Sequence, residues 1–120
     1  VSDQANGDER KAIDEIMTKL RMFCQEMEIC MFVVSHLRRP EGKGHEDGAV
    51  TSLGQLRGSA SIAQLSDIVL GLERNAQAED QMVRNTTSIR VLKNRFSGMT
   101  GPACSLLYNK DTGRLTEMVE

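Results

Sequence analysis

Two groups of residues have the types and spacing for chemistry: a histidine at the end of an apolar run, and basic residues distributed over the segments that follow it. The run Ile29-Cys30-Met31-Phe32-Val33-Val34 leads into Ser35-His36, and the next segment, Leu37 to Gly48, holds Arg38, Arg39, Lys43 and His45 among three glycines and a proline. An imidazole can donate one hydrogen bond and accept another, so it can link an anionic ligand to a neighbouring polar group. One histidine is a weak signal, and by itself an ordinary strand-end role is the commoner one. Arginine and lysine gathered in a glycine-rich segment can grip phosphates, although Glu41, Glu46 and Asp47 offset part of the charge and also suit a solvated loop. His45-Glu46-Asp47 is a poor metal site, because adjacent residues seldom converge on one ion. Further on, Arg57-Gly58-Ser59 reads as a glycine-serine start of a short helix, with free amides for a phosphate and Ser59 as its cap.

These groups need elements to hold them. Ile13, Ile16, Met17, Leu20, Phe23, Cys24 and Met27 recur at steps of three and four, which predicts an amphipathic helix. Asp8 is expected to cap it, with Asp14, Lys19, Arg21 and Gln25 in solvent. The apolar run 29–34 predicts a strand covered on both faces, as in parallel α/β sheets, where ligands bind beyond the carboxyl ends of strands. Ile68 to Arg74 predicts a second buried strand of this kind. Thr87 to Phe96 alternates, Ser97 to Gly101 is a turn, and Ala103 to Tyr108 is a strand, so an antiparallel hairpin is expected there. Asn109 to Gly113 is a further turn before a short end strand, Leu115 to Met118. The class is therefore α/β, with parallel strands and a terminal antiparallel hairpin.

Composition narrows the functions. The 120 residues carry 15 Lys and Arg against 17 Asp and Glu, a net charge of −2, so any nucleic-acid binding must come from a local cluster and not from a global field. Three cysteines without C-x-x-C spacing fit neither a disulfide framework nor a zinc site, and point to a reducing, cytoplasmic setting. No apolar run is long enough to span a membrane. One domain is the expectation for this length, with a core of aliphatic residues and methionine, since only three Phe and one Tyr are present.

Three segments in order are specific: Val33-Val34-Ser35-His36-Leu37-Arg38-Arg39-Pro40; Leu56-Arg57-Gly58-Ser59 through Gln64-Leu65-Ser66-Asp67; and Leu92-Lys93-Asn94-Arg95-Phe96-Ser97-Gly98 with Tyr108-Asn109. Together they resemble the RecA-like helicase domain of the DnaB family of ring helicases, closest to phage primase-helicases and their mitochondrial relative Twinkle, over nearly the whole chain. The resemblance implies the C-terminal half of a RecA-like P-loop NTPase, residues 1–120 being one part of that ATPase domain. It makes His36 the sensor of the nucleotide γ-phosphate and Arg95 an arginine finger that reaches, with Lys93, into a neighbouring subunit's nucleotide. Strand alternation places 93 and 95 on one face. Arg74 and Tyr108 match positions that sandwich the nucleotide base; Tyr108 equally suits a core aromatic. Arg38, Arg39 and Lys43 match the DNA loop of the central channel, and Arg57, Gly58 and Ser59 a second phosphate-contacting edge.

The departures carry expectations too. No G-x-x-x-x-G-K-[ST] occurs: Gly42-Lys43-Gly44 lacks both the upstream glycine spacing and the following hydroxyl. In the family the phosphate loop, the metal-binding aspartate and the catalytic glutamate lie upstream of residue 1, so the chain is expected to be a fragment, inactive alone, of an ATP-dependent DNA helicase. The nucleotide implied is ATP or dTTP with Mg2+, and the partners are single-stranded DNA, a homo-hexameric ring and other replisome proteins, in the bacterial host cytoplasm if the source is a phage. A RecA-type recombinase or clock-type ATPase on the same core, and a stand-alone module for single-stranded DNA binding or ring assembly, are the alternatives. Without its central neighbours, Ile29 to Ser35 is expected to pair directly with Ile68 to Glu73 or with another chain.

Overall fold

A computed structural model of the chain describes residues 2–37, 50–56 and 60–118, with side chains from residue 8 onward. It divides into two compact units, Val1–Arg38 with Leu56–Asp67 and Arg39–Gln55 with Ile68–Glu120.

In the first unit, α1 (Ser2–Met27) packs against the short α2 (Ser61–Leu65). Helix α1 begins six residues before the expected cap, and Asp8 lies within it. With no proline in the first turns, the helix extends past Gly7 once the amphipathic portion has nucleated it. It ends in a left-handed turn: Glu28 sits at φ 55°, and the Ile29 amide donates to the Cys24 carbonyl at 3.2 Å. Ile13, Met17, Leu20 and Cys24 are half-buried, whereas Ile16, Phe23 and Met27 remain exposed. Arg21, expected in solvent, is half-buried and pairs with Asp67 at 2.7 Å, and that bond holds its guanidinium in the charged form.

The segment 29–36 corrects the expected buried strand. It has no ladder partner among the described residues, and Phe32 and Val34 are 88% and 93% exposed. β-branched apolar residues make a strand only when a neighbouring backbone takes up their amides and carbonyls. The one bridge nearby joins Leu37 to Leu56 in antiparallel fashion, just beyond His36.

The second unit is a four-stranded antiparallel sheet in chain order: β1 (Ile68–Arg74), β2 (Thr86–Asn94), β3 (Gly101–Asn109) and β4 (Arg114–Glu117). The hairpin of β2 and β3 is as expected, and so is the short end strand. No parallel pair occurs among the described residues. The link from β1 to β2 holds only the one-turn α3 (Gln81–Arg84), too short for the crossover that a parallel return needs, so the chain comes back antiparallel. β1 is an edge strand whose described ladder partner is β2. Its burial is also less than expected, Ile68, Leu70 and Leu72 being about half exposed or more. No apolar side chain among the described residues is fully buried; the buried polar ones are Thr51 and Glu73.

Candidate functional site

The sheet sorts the expected site residues into two places. Register sets Arg74 opposite Thr87 and Thr87 opposite Leu106, so Arg74 lies at the end of the sheet where β1 and β3 finish. Tyr108 is two residues beyond Leu106, on the same face and at that same end. Lys93 lies at the other end, opposite Val69, and Arg95 follows it just past β2. Six residues of extended strand separate the Thr87 row from Lys93, roughly 20 Å.

Local chemistry fixes each end. The Arg74 Nε donates to the Arg84 carbonyl at 2.6 Å, which ties its guanidinium to the end of α3. The half-buried Tyr108 donates its backbone amide to the Asn85 carbonyl at 2.9 Å, next in sequence to Arg84. Arg95 stands in a turn built by Asn94, whose side-chain oxygen accepts from the amides of Phe96 at 3.1 Å and Ser97 at 3.3 Å. The Asn94 carbonyl accepts from Gly98, which closes the turn at φ 73°, a conformation open to glycine. Asn109 builds the same turn with Asp111, Thr112 and Gly113, again at φ 73°. An asparagine followed four residues later by glycine marks both turns in the sequence. It also corrects the shared-face argument for 93 and 95: the strand ends at Asn94, so alternation does not extend to Arg95, which the turn presents instead.

His36 is exposed, directly before the Leu37–Leu56 bridge, with the Ser35 hydroxyl 3.4 Å from its carbonyl. Arg38, Arg39, Lys43, Arg57, Gly58 and Ser59 lie outside the described residues. The short helix α2 begins at Ser61, with Ala60 at the cap position and no side-chain cap bond.

A second cluster was not anticipated. On the face of β1 away from Arg74, one Glu73 carboxylate oxygen, Oε2, accepts three hydrogen bonds: from the Thr51 amide at 2.8 Å, the Thr51 hydroxyl at 2.7 Å and the Arg90 Nε at 2.8 Å. Arg90 reaches across from β2 and adds a longer contact, 3.4 Å, from Nη2 to Oε1. Thr51 and Glu73 are only 3% and 8% exposed. Burial alone pushes the Glu73 carboxyl up, but the hydrogen bonds from Arg90 and Thr51, with the Arg90 charge, outweigh it and hold its pKa below the ordinary value. Gly71 makes room for this: a Cβ there would lie 2.8 Å from the Thr51 Cβ and closer still to its hydroxyl. No three His, Cys, Asp or Glu side chains among the described residues converge as metal ligands, and the Glu73 oxygen is committed to Thr51 and Arg90. No helix among them is long and apolar enough to cross a membrane.

Residues 1–117 match the DnaB-like helicase C-terminal domain, and the chain belongs to that family. A DNA helicase/primase of Enterobacteria phage T3 is 45% identical over 116 residues, 96% of this chain. The chain spans 20% of that relative's length. A solved ATPase domain is 26% identical, with a TM-score of 0.49, over 58% of this chain and 24% of its own.

Proposed function

We propose that this chain is the sensing and trans-acting segment of a replicative DNA helicase that couples nucleoside triphosphate hydrolysis to movement along single-stranded DNA in a hexameric ring, in the cytoplasm of a phage's bacterial host and in company with other replisome proteins. Family membership and the likeness to a phage DNA helicase/primase support the class. The observation that carries the residue roles is the separation of Arg74 and Tyr108 from Lys93 and Arg95 by the length of the sheet. A base held at the first pair leaves its own phosphates out of convenient reach of the second, so one subunit's sheet serves two nucleotides, its own and a neighbour's. Arg74 and Tyr108 grip the base of ATP or dTTP, a contact that tolerates several bases. Arg95, presented by the Asn94 turn, and Lys93 meet the neighbour's γ-phosphate, where a guanidinium stabilises the spread charge of the transition state. His36 reports the phosphate's presence, and Arg38, Arg39, Lys43, Arg57, Gly58 and Ser59 hold the DNA backbone without reading sequence. The phosphate cradle, the Mg2+ carboxylate and the parallel strands of a RecA-like core come from the remainder of the protein, and parallel strands there cover the apolar run 29–34.

The test is Arg95→Ala in the full-length helicase that carries this segment. Hydrolysis should fall on the order of thousandfold or more with nucleotide binding nearly unchanged, because the contact forms in the transition state. Mixing with subunits whose own phosphate loop is disabled should restore activity at mixed interfaces. No restoration at any mixing ratio would reject the trans role.

A further inference from the structure

Arg74 and Tyr108 stand on β1 and β3, with β2 between them, so the sheet ladder alone does not hold the two at a fixed spacing beyond its last row. What ties both to one place is α3. The Arg74 Nε donates to the Arg84 carbonyl at 2.6 Å, and the Tyr108 amide donates to the Asn85 carbonyl at 2.9 Å. These are consecutive carbonyls at the end of a single helical turn, where partial negative charge suits a guanidinium. The Asn85–Tyr108 bond also carries the pairing of β2 and β3 one row past Thr86 and Leu107. The arginine side chain on one side and the tyrosine backbone on the other are thus both set by where that turn lies.

Four residues do not make a stable helix by themselves, because the first turn fixes more of the chain than its bonds repay. α3 is held by its flanks. The Asp80 side chain accepts from the Met82 amide at 2.8 Å, and the Asp80 carbonyl accepts from the Arg84 amide at 2.9 Å. At the other end the Thr86 hydroxyl donates to the Met82 carbonyl at 2.6 Å, and the Asn85 amide is shared between the carbonyls of Gln81 and Val83. Asp80 is exposed, and its side-chain bond stays within the turn, so it orders α3 without being part of the sheet.

We infer that Asp80 is a positioning residue for the nucleotide base: by capping α3 it fixes the Arg84 and Asn85 carbonyls, and through them the spacing of Arg74 and Tyr108. The inference rests on the reading that those two residues hold the base. The cap lies at the Arg74 end of the sheet, away from Lys93 and Arg95, so its loss should weaken substrate binding and leave the transition-state contacts as they are.

The experiment uses the full-length helicase with Asp80→Ala, which removes the cap, and Asp80→Asn, which keeps an oxygen able to accept the same bond. Thr86→Val takes the hydroxyl from the Met82 carbonyl while keeping a β-branched side chain in the strand, and it carries the test if Asp80→Ala fails to fold. Steady-state kcat and KM are measured with ATP and with dTTP. In Asp80→Ala the KM for both should rise about fivefold, the scale of one helix cap, with kcat unchanged, and Asp80→Asn should keep the wild-type KM. Thr86→Val should move KM in the same direction. Added to Arg74→Ala, Asp80→Ala should raise KM less than about twofold, since there is no longer a second side to hold at a spacing. A wild-type KM in Asp80→Ala, the same fivefold rise with Arg74 already removed, or a fall in kcat at constant KM would overturn the role of the cap alone. A wild-type KM in Arg74→Ala would overturn the base contact and this inference with it.

Discussion

Gly71→Ala is the sharpest physical test of the clamp that Glu73 and Arg90 form around Thr51. Gly71 is not among the residues at positive φ, so alanine fits its backbone and the whole effect comes from space. The new methyl would stand 2.8 Å from the Thr51 Cβ and 3.2 Å from Leu92 Cδ1. The Leu92 methyl can yield by a few tenths of an ångström. Thr51 cannot, because its amide and hydroxyl are both bound to Glu73, so it must leave its seat. Glu73 then loses two donors at a buried carboxylate, a cost of roughly 3 kcal/mol from about 1.5 kcal/mol per charge-assisted bond. Reduced chain entropy in the unfolded state returns about 0.5 kcal/mol. The net, about 2.5 kcal/mol, is close to a hundredfold loss of protection at the Thr51 amide in native-state hydrogen exchange, read in the full-length helicase. Thr51→Gly removes the Thr51 atoms the methyl meets and leaves only the yielding Leu92 methyl, so adding Gly71→Ala to Thr51→Gly should cost nearly nothing more. Wild-type protection in Gly71→Ala, or equal costs of the alanine with and without the Thr51 side chain, would refute the steric account.

Three further outcomes follow from the same geometry. Because the folded pKa of Glu73 lies below its unfolded value, its ionised form stabilises the sheet fully above the usual glutamate range near about 4.3. That contribution is lost as pH falls through the folded pKa, so the melting temperature of the wild type should drop more steeply below about pH 4.3 than that of Glu73→Gln. Arg74→Ala should raise the nucleotide KM by about tenfold with kcat little changed, since base contacts bind substrate and transition state alike; steady-state kinetics on the full-length helicase would show it. Asn94→Ala removes the acceptor for the Phe96 and Ser97 amides, which displaces Arg95 without touching it, so kcat should fall at least tenfold with KM unchanged. A fall no larger in Asn94→Ala than in the matching Asn109→Ala would mean that the turn does not position the arginine.

Periodicity was enough for the elements whose stabilising contacts are local. The hairpin of β2 and β3 was legible because alternation, turn residues and strand length all lie within one short segment, and α1 because its apolar steps repeat over several turns. Its start was not legible: capping preference at Asp8 is worth about 1 kcal/mol, and extension of an already nucleated helix through Gly7 outweighed it. The run 29–34 departs from its expected strand for the opposite reason. Apolar β-branched residues say that a segment is fit for a buried strand, but the ladder and the cover come from other segments, and among the described residues no strand pairs with it. Direction was likewise a non-local property: apolar strand composition suggested a parallel sheet, while the 11 residues between Arg74 and Thr86 decided for antiparallel.

The clamp shows why the site was less legible than the fold. Glu73 stands in a run of leucine, glutamate and arginine that reads as the frayed end of a strand, and Thr51 stands in a stretch with no periodicity at all. Neither residue type is unusual where it occurs. Their meaning comes from Gly71, whose missing side chain looks in sequence like a weak point in an apolar strand. In the folded sheet, that gap admits a threonine from outside the sheet, the threonine satisfies a buried carboxylate, and Arg90 keeps the carboxylate charged. Each of the four residues therefore explains another. If Glu73 served only to balance Arg90, a neighbouring pair across two strands would suffice, and the seat in Gly71 would have no use. If Thr51 served only to end a loop, its hydroxyl would not need to share an oxygen with a guanidinium. An arrangement in which a strand gives up a side chain to seat a residue from outside the sheet fixes that residue against the carboxylate, and it stands on the face of β1 opposite Arg74.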